Sequence, residues 1–384
     1  MELENERSEI DMSFIPRDWK IKSLSELGKF SKGQGIRKDE SLSGIIPCVR
    51  YGELYTKHHD FIKTFYSFIS EEISLSSKRL KTGDILFAGS GETKEEIGKC
   101  AAFIDNIEAY AGGDIVILSP ANVNSLFLGY ILNSPFVQRQ KARKGQGDAV
   151  VHISAAQLAN IIIPFPPNLK EQSAIAVALS DTDALIDGLE KLIAKKRRIK
   201  EGIMQAFFQR QIGVKVKKLG EFCKGISSGR SETKSNAGKY PIYGSTGIIG
   251  WRDSFDYQGT KILVARVGAN AGAANIVKGK YCVSDNTLMI SYDEKYVNTY
   301  YLYYNLISLK LNSLIFGSGQ PLITGALLKT MEVLYPPITE QNEIATILLD
   351  IDSELESLES KLSKYRQIKS GMMQTLLTGQ IRLV

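Results

Sequence analysis

The chain contains one long stretch twice. The first copy runs from Pro166 to Gly213 and the second from Pro336 to Val384. From Glu171 and Glu340 onward they align without a gap. Identical pairs include Glu171-Gln172 with Glu340-Gln341, Asp183 with Asp352, Leu189 with Leu358, Arg197 with Arg366 and Gly202 with Gly371. Whatever one copy folds into, the other should fold into as well, so the repeat limits the architecture first.

Each copy reads as a long helix. In the first, Ala178, Thr182, Leu185, Leu189, Leu192, Lys196, Ile199 and Ile203 alternate steps of four and three. In the second, Ile351, Leu355, Leu358, Leu362, Tyr365, Lys369 and Met372 do nearly the same. That spacing is the seam of a coiled coil. Pro-Pro precedes both copies, Asn168 stands three residues before Glu171, and Thr339 precedes Glu340, as helix starts require. Such a helix spans roughly 60 Å at 1.5 Å per residue, and a lone apolar stripe of that length needs a partner. The other copy is the obvious one. The expected pairing residues are Leu185, Leu189, Leu192, Ile199, Leu355, Leu358, Leu362 and Ile368. Connectivity makes the pair antiparallel and places a pseudo-two-fold axis through it.

Two globular regions alternate with the helices. The boundaries read as a frayed acidic tail over 1–11, a first globule over 12–166, a helix over 167–213, a second globule over 214–335 and a helix over 336–384. The globules share an order of signals. Ile45–Val49, Asp84–Phe87 and Asp114–Leu118 are strand-like in the first; Tyr240–Tyr243, Lys261–Val264 and Thr287–Ile290 are strand-like in the second. The Gly89–Gly98 loop stands where the second has Val267–Gly272, and Ile153-Ser154 stands where it has Ile323-Thr324. The expected fold is α+β, with two mixed α/β recognition domains joined by two long antiparallel helices. A chain that is 43% hydrophobic can fill such cores.

The second globule holds the basic excess, with 15 Lys and Arg against 8 Asp and Glu over 214–335. The first is mildly basic, 19 against 16 over 12–166. That balance suits a polyanionic partner. Cys48, Cys100, Cys223 and Cys282 are far apart in sequence and show no zinc spacing. His58, His59 and His152 read as ordinary surface or core residues. No metal and no cofactor is expected. The N-terminal MELENERSEID is acidic and no long apolar run exists, so a cytoplasmic protein that does not enter membranes is expected.

Several pieces together resemble the specificity subunit of a type I restriction–modification system. They are Ile15-Pro16, Trp19, Leu24 and Gly28; Gly83-Asp84-Ile85-Leu86-Phe87 with its Gly-rich turn; Gly319-Gln320 with Ile323-Thr324; and the Pro-Pro, Glu-Gln helix in both halves. The duplicated order of these pieces is specific and covers nearly the whole chain. The resemblance implies that each globule reads one half of a bipartite site on double-stranded DNA. It also implies that the helices act as a ruler and dock two methyltransferase subunits, through which restriction–translocase subunits join. Residues Thr93–Glu96 lengthen the first Gly-rich loop beyond the family's shorter turn.

Arg and Lys suit guanine edges, and Asn and Gln suit adenine. Candidate DNA-binding residues are Lys32, Gln34, Ser90, Lys94, Arg143, Lys144 and Gln146 in the first globule. In the second they are Arg230, Tyr243, Arg266, Asn270, Ser318 and Gln320. Each is also an ordinary surface or turn residue on its own. The Gly89–Gly98 loop lacks the Gly-Lys-Ser/Thr ending of a phosphate-binding loop. No methyltransferase signature is present, and Asp84 with Glu92 and Lys94 is a poor match to a nuclease site, so no catalysis is expected. The basic run Lys195–Arg198 reads as a solvated helix face, or as a contact with the DNA backbone. A rival reading is a coiled-coil scaffold whose globules bind protein; a second is a stand-alone nuclease or methylase.

Overall fold

A computed structural model describes residues 15–209, 214–230, 237–314 and 322–383. The sequence-based tail over 1–11, the end of the first repeat over 210–213, and both Ser318 and Gln320 lie outside the described residues. The chain divides into two compact units. One comprises residues up to Gly188 together with those from Leu362 onward, and the other is Leu189–Lys361.

The first unit opens with β1 (Lys20–Ser23), α1 (Leu24–Leu27) and β2 (Gly28–Lys32). Next come β3 (Ile46–Val49), α2 (Tyr51–Thr56), β4 (Ser67–Ile69), α3 (Glu71–Leu75) and β5 (Lys78–Arg79). After these stand β6 (Ile85–Ala88), β7 (Ser90–Gly91), β8 (Cys100–Ala102), β9 (Tyr110–Ala111) and β10 (Ile115–Pro120). The globule closes with α4 (Ser125–Leu132), α5 (Pro135–Lys144), β11 (Val151–His152), α6 (Ala155–Ala159) and β12 (Ile162–Phe165). One sheet has the order β2-β10-β6-β8 and another β4-β3-β9-β5, while β1 pairs with β12 and β7 with β11.

Strand β6 is buried along its whole length because both faces of its sheet are covered. Ile85 and Phe87 point to a core shared with Leu118, Phe127 and Ile163. Leu86 and Ala88 alternate to a second core with Leu54, Phe103 and Ile117. The Asn133-Ser134-Pro135 break separates two helices: α4 ends at Leu132, and Pro135 begins α5 where its missing N–H is harmless. Gly129 on α4 is required, since a Cβ there would lie 2.1 Å from the carbonyl oxygen of Asp60.

The long helix α7 (Leu169–Phe208) follows. The second globule then repeats the first for three of its four sheets, the β7–β11 pair recurring only as an isolated Val267–Leu322 bridge among the described residues. Its early elements are β13 (Val216–Lys218), α8 (Leu219–Phe222), β14 (Cys223–Ser228), β15 (Tyr240–Gly244), β16 (Gly247–Arg252) and β17 (Tyr257–Gln258). They are followed by β18 (Lys261–Ala265), β19 (Ala274–Val277), β20 (Lys280–Val283), β21 (Thr287–Tyr292) and α9 (Thr299–Ser308). Then come α10 (Gly325–Thr330), β22 (Glu332–Leu334) and the second long helix, α11 (Ile338–Leu376). The sheets are β14-β21-β18-β19 and β16-β15-β20-β17, with β13 on β22. Even the one parallel pairing recurs, as β3 with β9 and β15 with β20.

Both units hold segments of α7 and α11, and in each the two run antiparallel. In the first unit Glu171 meets Arg382 and Asp183 meets Lys369. In the second Lys196 meets Glu354 and Lys200 meets Asp352. The seam of α11 follows the expected stripe, with Leu355 and Leu358 buried and Leu362 half-buried. The seam of α7 differs by one position. Ile186 and Ile193 face inward, Leu189 is half-buried, and Leu185, Leu192 and Ile199 are exposed. Ile368, the repeat equivalent of Ile199, is exposed too. These four are therefore not helix-pairing residues within the chain. Ile186 aligns with Leu355 in the repeat, whereas Leu185 aligns with Glu354. A wide apolar face on α7 offers two adjacent stripes, and the seam uses the one that the repeat shares.

Candidate nucleic-acid interface

Each globule is fixed to its long helix by the same two sets of side chains. In the first unit Asn124 caps α4, its side chain accepting from Phe127 N–H at 2.9 Å. The Asn124 N–H donates to Gln172 Oε1 at 2.8 Å, and Gln172 Nε2 donates to the Pro166 carbonyl at 2.8 Å. In the second unit Asn298 caps α9, its N–H donates to Gln341 Oε1 at 2.9 Å, and Gln341 Nε2 donates to Pro336 O at 2.9 Å. Both glutamines are fully buried, so these bonds satisfy amides that would otherwise be stranded.

About three turns further along each long helix, Tyr130 donates to Asp183 at 2.8 Å and Tyr304 to Asp352 at 2.6 Å. Each aspartate also pairs with a lysine of the opposite helix, Lys369 or Lys200. Those lysines sit over the tyrosine rings, 5.4 and 5.3 Å from the centroids. Burial and the adjacent Asp183 push the Tyr130 phenol far up from its ordinary value, and burial with Asp352 does the same to Tyr304.

In the first globule a cleft of about 740 Å³ opens where β2, β7 and β11 converge. Lys32, Ser90 and Gln146 line it, and so do Asp114, His152 and Gln157. Ser90 Oγ is hydrogen-bonded to His152 Nδ1 at 2.9 Å. The Ser90 carbonyl accepts from Tyr55 Oη at 3.0 Å. At the far end of the same loop, the fully buried Lys141 donates to the Gly98 carbonyl at 2.7 Å, and burial depresses its ammonium. Gly98 has φ +71°, a conformation that favours glycine. So the Gly89–Gly98 loop is anchored at both ends, and its middle is exposed.

Of the sequence-based candidates, the structure gathers Lys32, Ser90 and Gln146 in this cleft. Gln34 and Lys94 are exposed outside it, and Arg143 and Lys144 stand at the last turn of α5. Asp114, His152 and Gln157 were missed. In the second globule Tyr243 and Asn270 line a pocket of about 440 Å³ with Ser245, Asn275 and Thr287. Thr287 Oγ1 is buried there with no hydrogen-bond partner among the described residues. Arg230 is exposed beyond β14; Arg266 follows β18, and its carbonyl accepts from Ile323 N–H at 2.8 Å.

Asp84 is occupied structurally, accepting from Ser119 Oγ at 2.6 Å and Lys81 N–H at 2.9 Å, while Glu92 is exposed. Among the described residues no cluster of His, Cys, Asp and Glu is placed to hold a metal, and no helix is long and apolar enough to cross a membrane. In the basic run, Lys196 and Arg197 are paired with Glu354 and Glu359 of α11.

Comparison with known proteins fits this arrangement. Residues 16–200 and 211–364 match the family model described as the type I restriction modification DNA specificity domain. A putative type I restriction enzyme MjaX specificity subunit from Methanocaldococcus jannaschii is 26% identical, over 96% of this chain and 95% of that protein. The EcoKI specificity subunit of Escherichia coli K12 is 21% identical, over 96% and 89%. Among solved structures, the S subunit of a type I restriction–modification system from M. genitalium superposes with a TM-score of 0.67 at 17% identity, covering 94% of this chain and 96% of that one. The duplicated helices, matching sheets and family match lead to one conclusion: the chain belongs to the type I restriction modification DNA specificity family, whose members are the non-catalytic specificity subunits of type I restriction systems.

Proposed function

We propose that this chain reads a bipartite target on double-stranded DNA in the cytoplasm, one half-site per globule, and positions two methyltransferase subunits that methylate adenine within it. Restriction–translocase subunits join through the methyltransferases and direct cleavage of unmethylated DNA. The observation that carries this reading is the contrast between identical joints and different clefts. The Asn–Gln and Tyr–Asp–Lys sets are the same in both units. The clefts are not, and they do not fall at equivalent places: the first lies against Lys32, Ser90 and Val116, the second against Leu263, Ala265 and Thr287 on the other face of the matching sheet. A protein that must present two copies of one partner to two different sequences needs that combination. The exposed and equivalent Ile199 and Ile368 are then natural contacts for the two methyltransferases. Phosphate contacts would come from exposed lysines and arginines such as Lys94 and Arg230, and base readout from the cleft residues.

Mapping methylated adenines across the genome of cells with and without this gene tests the reading. The expected result is one split motif that disappears with the gene. Native mass measurement of the complex should show two methyltransferase subunits per chain. A scaffold that binds only protein would leave the methylation map unchanged.

A further inference from the structure

The two globules differ most tellingly at one cross-strand position. In the first, Ile153 N–H donates to Gly89 O at 2.9 Å, and in the second Ile323 N–H donates to Arg266 O at 2.8 Å. These bonds align the flanking residues, so Ser90 corresponds to Val267 and His152 to Leu322. The backbone pairing is conserved in form, β7 on β11 in one unit and a Val267–Leu322 bridge in the other. The side chains are not: a hydrogen-bonded Ser–His pair has been exchanged for an apolar pair. A position whose backbone is held while its polarity is exchanged is where a recognition surface records different targets.

We propose that His152, oriented by Ser90, reads a base edge at a single position of the first half-site. This rests on the DNA-binding reading above and assigns it a residue. The imidazole lines the cleft, and its exposed side chain is free to meet a ligand. Nδ1 is engaged by Ser90 Oγ, which leaves Nε2 without a partner among the described residues. Ser90 itself is buried, so the partner that aims the ring is held in place. The ring is further fixed through its backbone, because His152 and Gln146 exchange N–H···O bonds of 2.7 and 2.9 Å. A planar ring with one committed and one open nitrogen presents one hydrogen-bonding atom, which matches one atom of a base edge in the major groove. A phosphate contact would need no such orientation, and long flexible cations supply it better.

The test uses the full chain in complex with its methyltransferase, assayed on duplexes in which each position of the motif is varied in turn. His152→Ala should relax discrimination at one base pair of the first half-site by about tenfold, leaving every other position intact. Ser90→Ala should relax the same base pair by less, because the ring loses its aim but keeps its atom. His152→Leu, which installs the second globule's residue, should change the preferred base there. The slope of binding against salt should stay as in the unaltered protein, since no phosphate contact is removed. Because the side chain is exposed, thermal melting should be unchanged. Equal weakening on all sequences with a shallower salt slope would make His152 a phosphate contact and overturn the assignment. Undiminished discrimination at every position would overturn it as well. An unaltered complex with no split-site preference would instead overturn the parent reading, and this one with it.

Discussion

The joints of the two units are built to one plan, but the first carries an extra tier. Lys369 is shared between Asp183 and Asp60, at 2.8 Å each, and Lys63 pairs with Asp187 at 2.6 Å. Arg382 grips the buried Glu171 with two bonds of 2.7 and 2.8 Å and reaches Asp18 at 2.8 Å. In the second unit Glu340, the equivalent of Glu171, is exposed, and the residue aligned with Arg382 is Gly213. Duplication therefore preserved the contacts that set where a globule docks on its helix. It left free both the number of reinforcing ion pairs and the residues that line the clefts. Position is shared, while the clefts and the local ion pairing have diverged.

The largest effect that would break this comparison comes from exchanging whole globules. Replacing residues 12–166 with the matching domain of another family member should rewrite the first half-site entirely and leave the second unchanged. The graft must bring an asparagine and a tyrosine at the positions of Asn124 and Tyr130, which hold Gln172 and Asp183. Methylation mapping reads the result. If both half-sites move together, recognition is not divided between the globules.

How much of this was legible beforehand follows from where the repeat reaches. The helices, their antiparallel sense and the two-globule order come from periodicity and duplication, which are local in sequence. The shared Glu-Gln and Asp residues were visible, but not their purpose, because Asn124, Tyr130, Asn298 and Tyr304 lie in globules whose sequences have drifted. The α7 seam was misplaced by one residue because Leu185, Leu192 and Ile199 form a heptad as regular as that of Ile186 and Ile193. Mapping the α11 seam back through the gapless alignment would have chosen correctly. Among the cleft residues, Lys32, Ser90 and Gln146 were foreseeable from loop chemistry. His152 was not singled out, since a lone histidine is usually bland; the available signal was its place just before Ile153-Ser154, opposite the Gly-rich turn.

A smaller effect sharpens the asymmetry of the joints. Arg382→Ala leaves the Glu171 carboxylate buried with neither oxygen paired to a cation. The loss of the cation should destabilise the fold around the buried carboxylate, with solvent screening at the exposed guanidinium limiting the effect. Glu340→Ala removes an exposed carboxylate and should stay within about 0.5 kcal/mol. Hydrogen exchange along the first turns of α7 and of α11 separates the two cases. Exchange should rise around Glu171 in the first variant and stay unaltered around Glu340 in the second. Equal responses would mean that the extra tier adds nothing.

The smallest expected effect is alkaline. The Tyr130 phenol is held above its ordinary value by burial and by Asp183. For Lys369, burial alone would depress the ammonium, but Asp60 and Asp183 outweigh it and the net shift is upward. In an unfolded chain these groups titrate near about 10 and 10.4. Both folded values are raised, so the folded state keeps protons that the unfolded state releases. Their stabilisation is complete below about pH 10 and is lost as pH rises through the folded values. The denaturation midpoint should therefore decline beyond about pH 10, on top of an earlier decline from about pH 8.5 set by the thiols of Cys48, Cys100 and Cys223, which burial also pushes up. Tyr130→Phe should lower stability at neutral pH by about 1 kcal/mol, the worth of one hydrogen bond. It should also make the alkaline decline shallower, because one of the groups that titrates there is gone. An alkaline slope identical in the variant and the parent would show that the Tyr130–Asp183–Lys369 joint does not sense pH, and that the decline arises elsewhere.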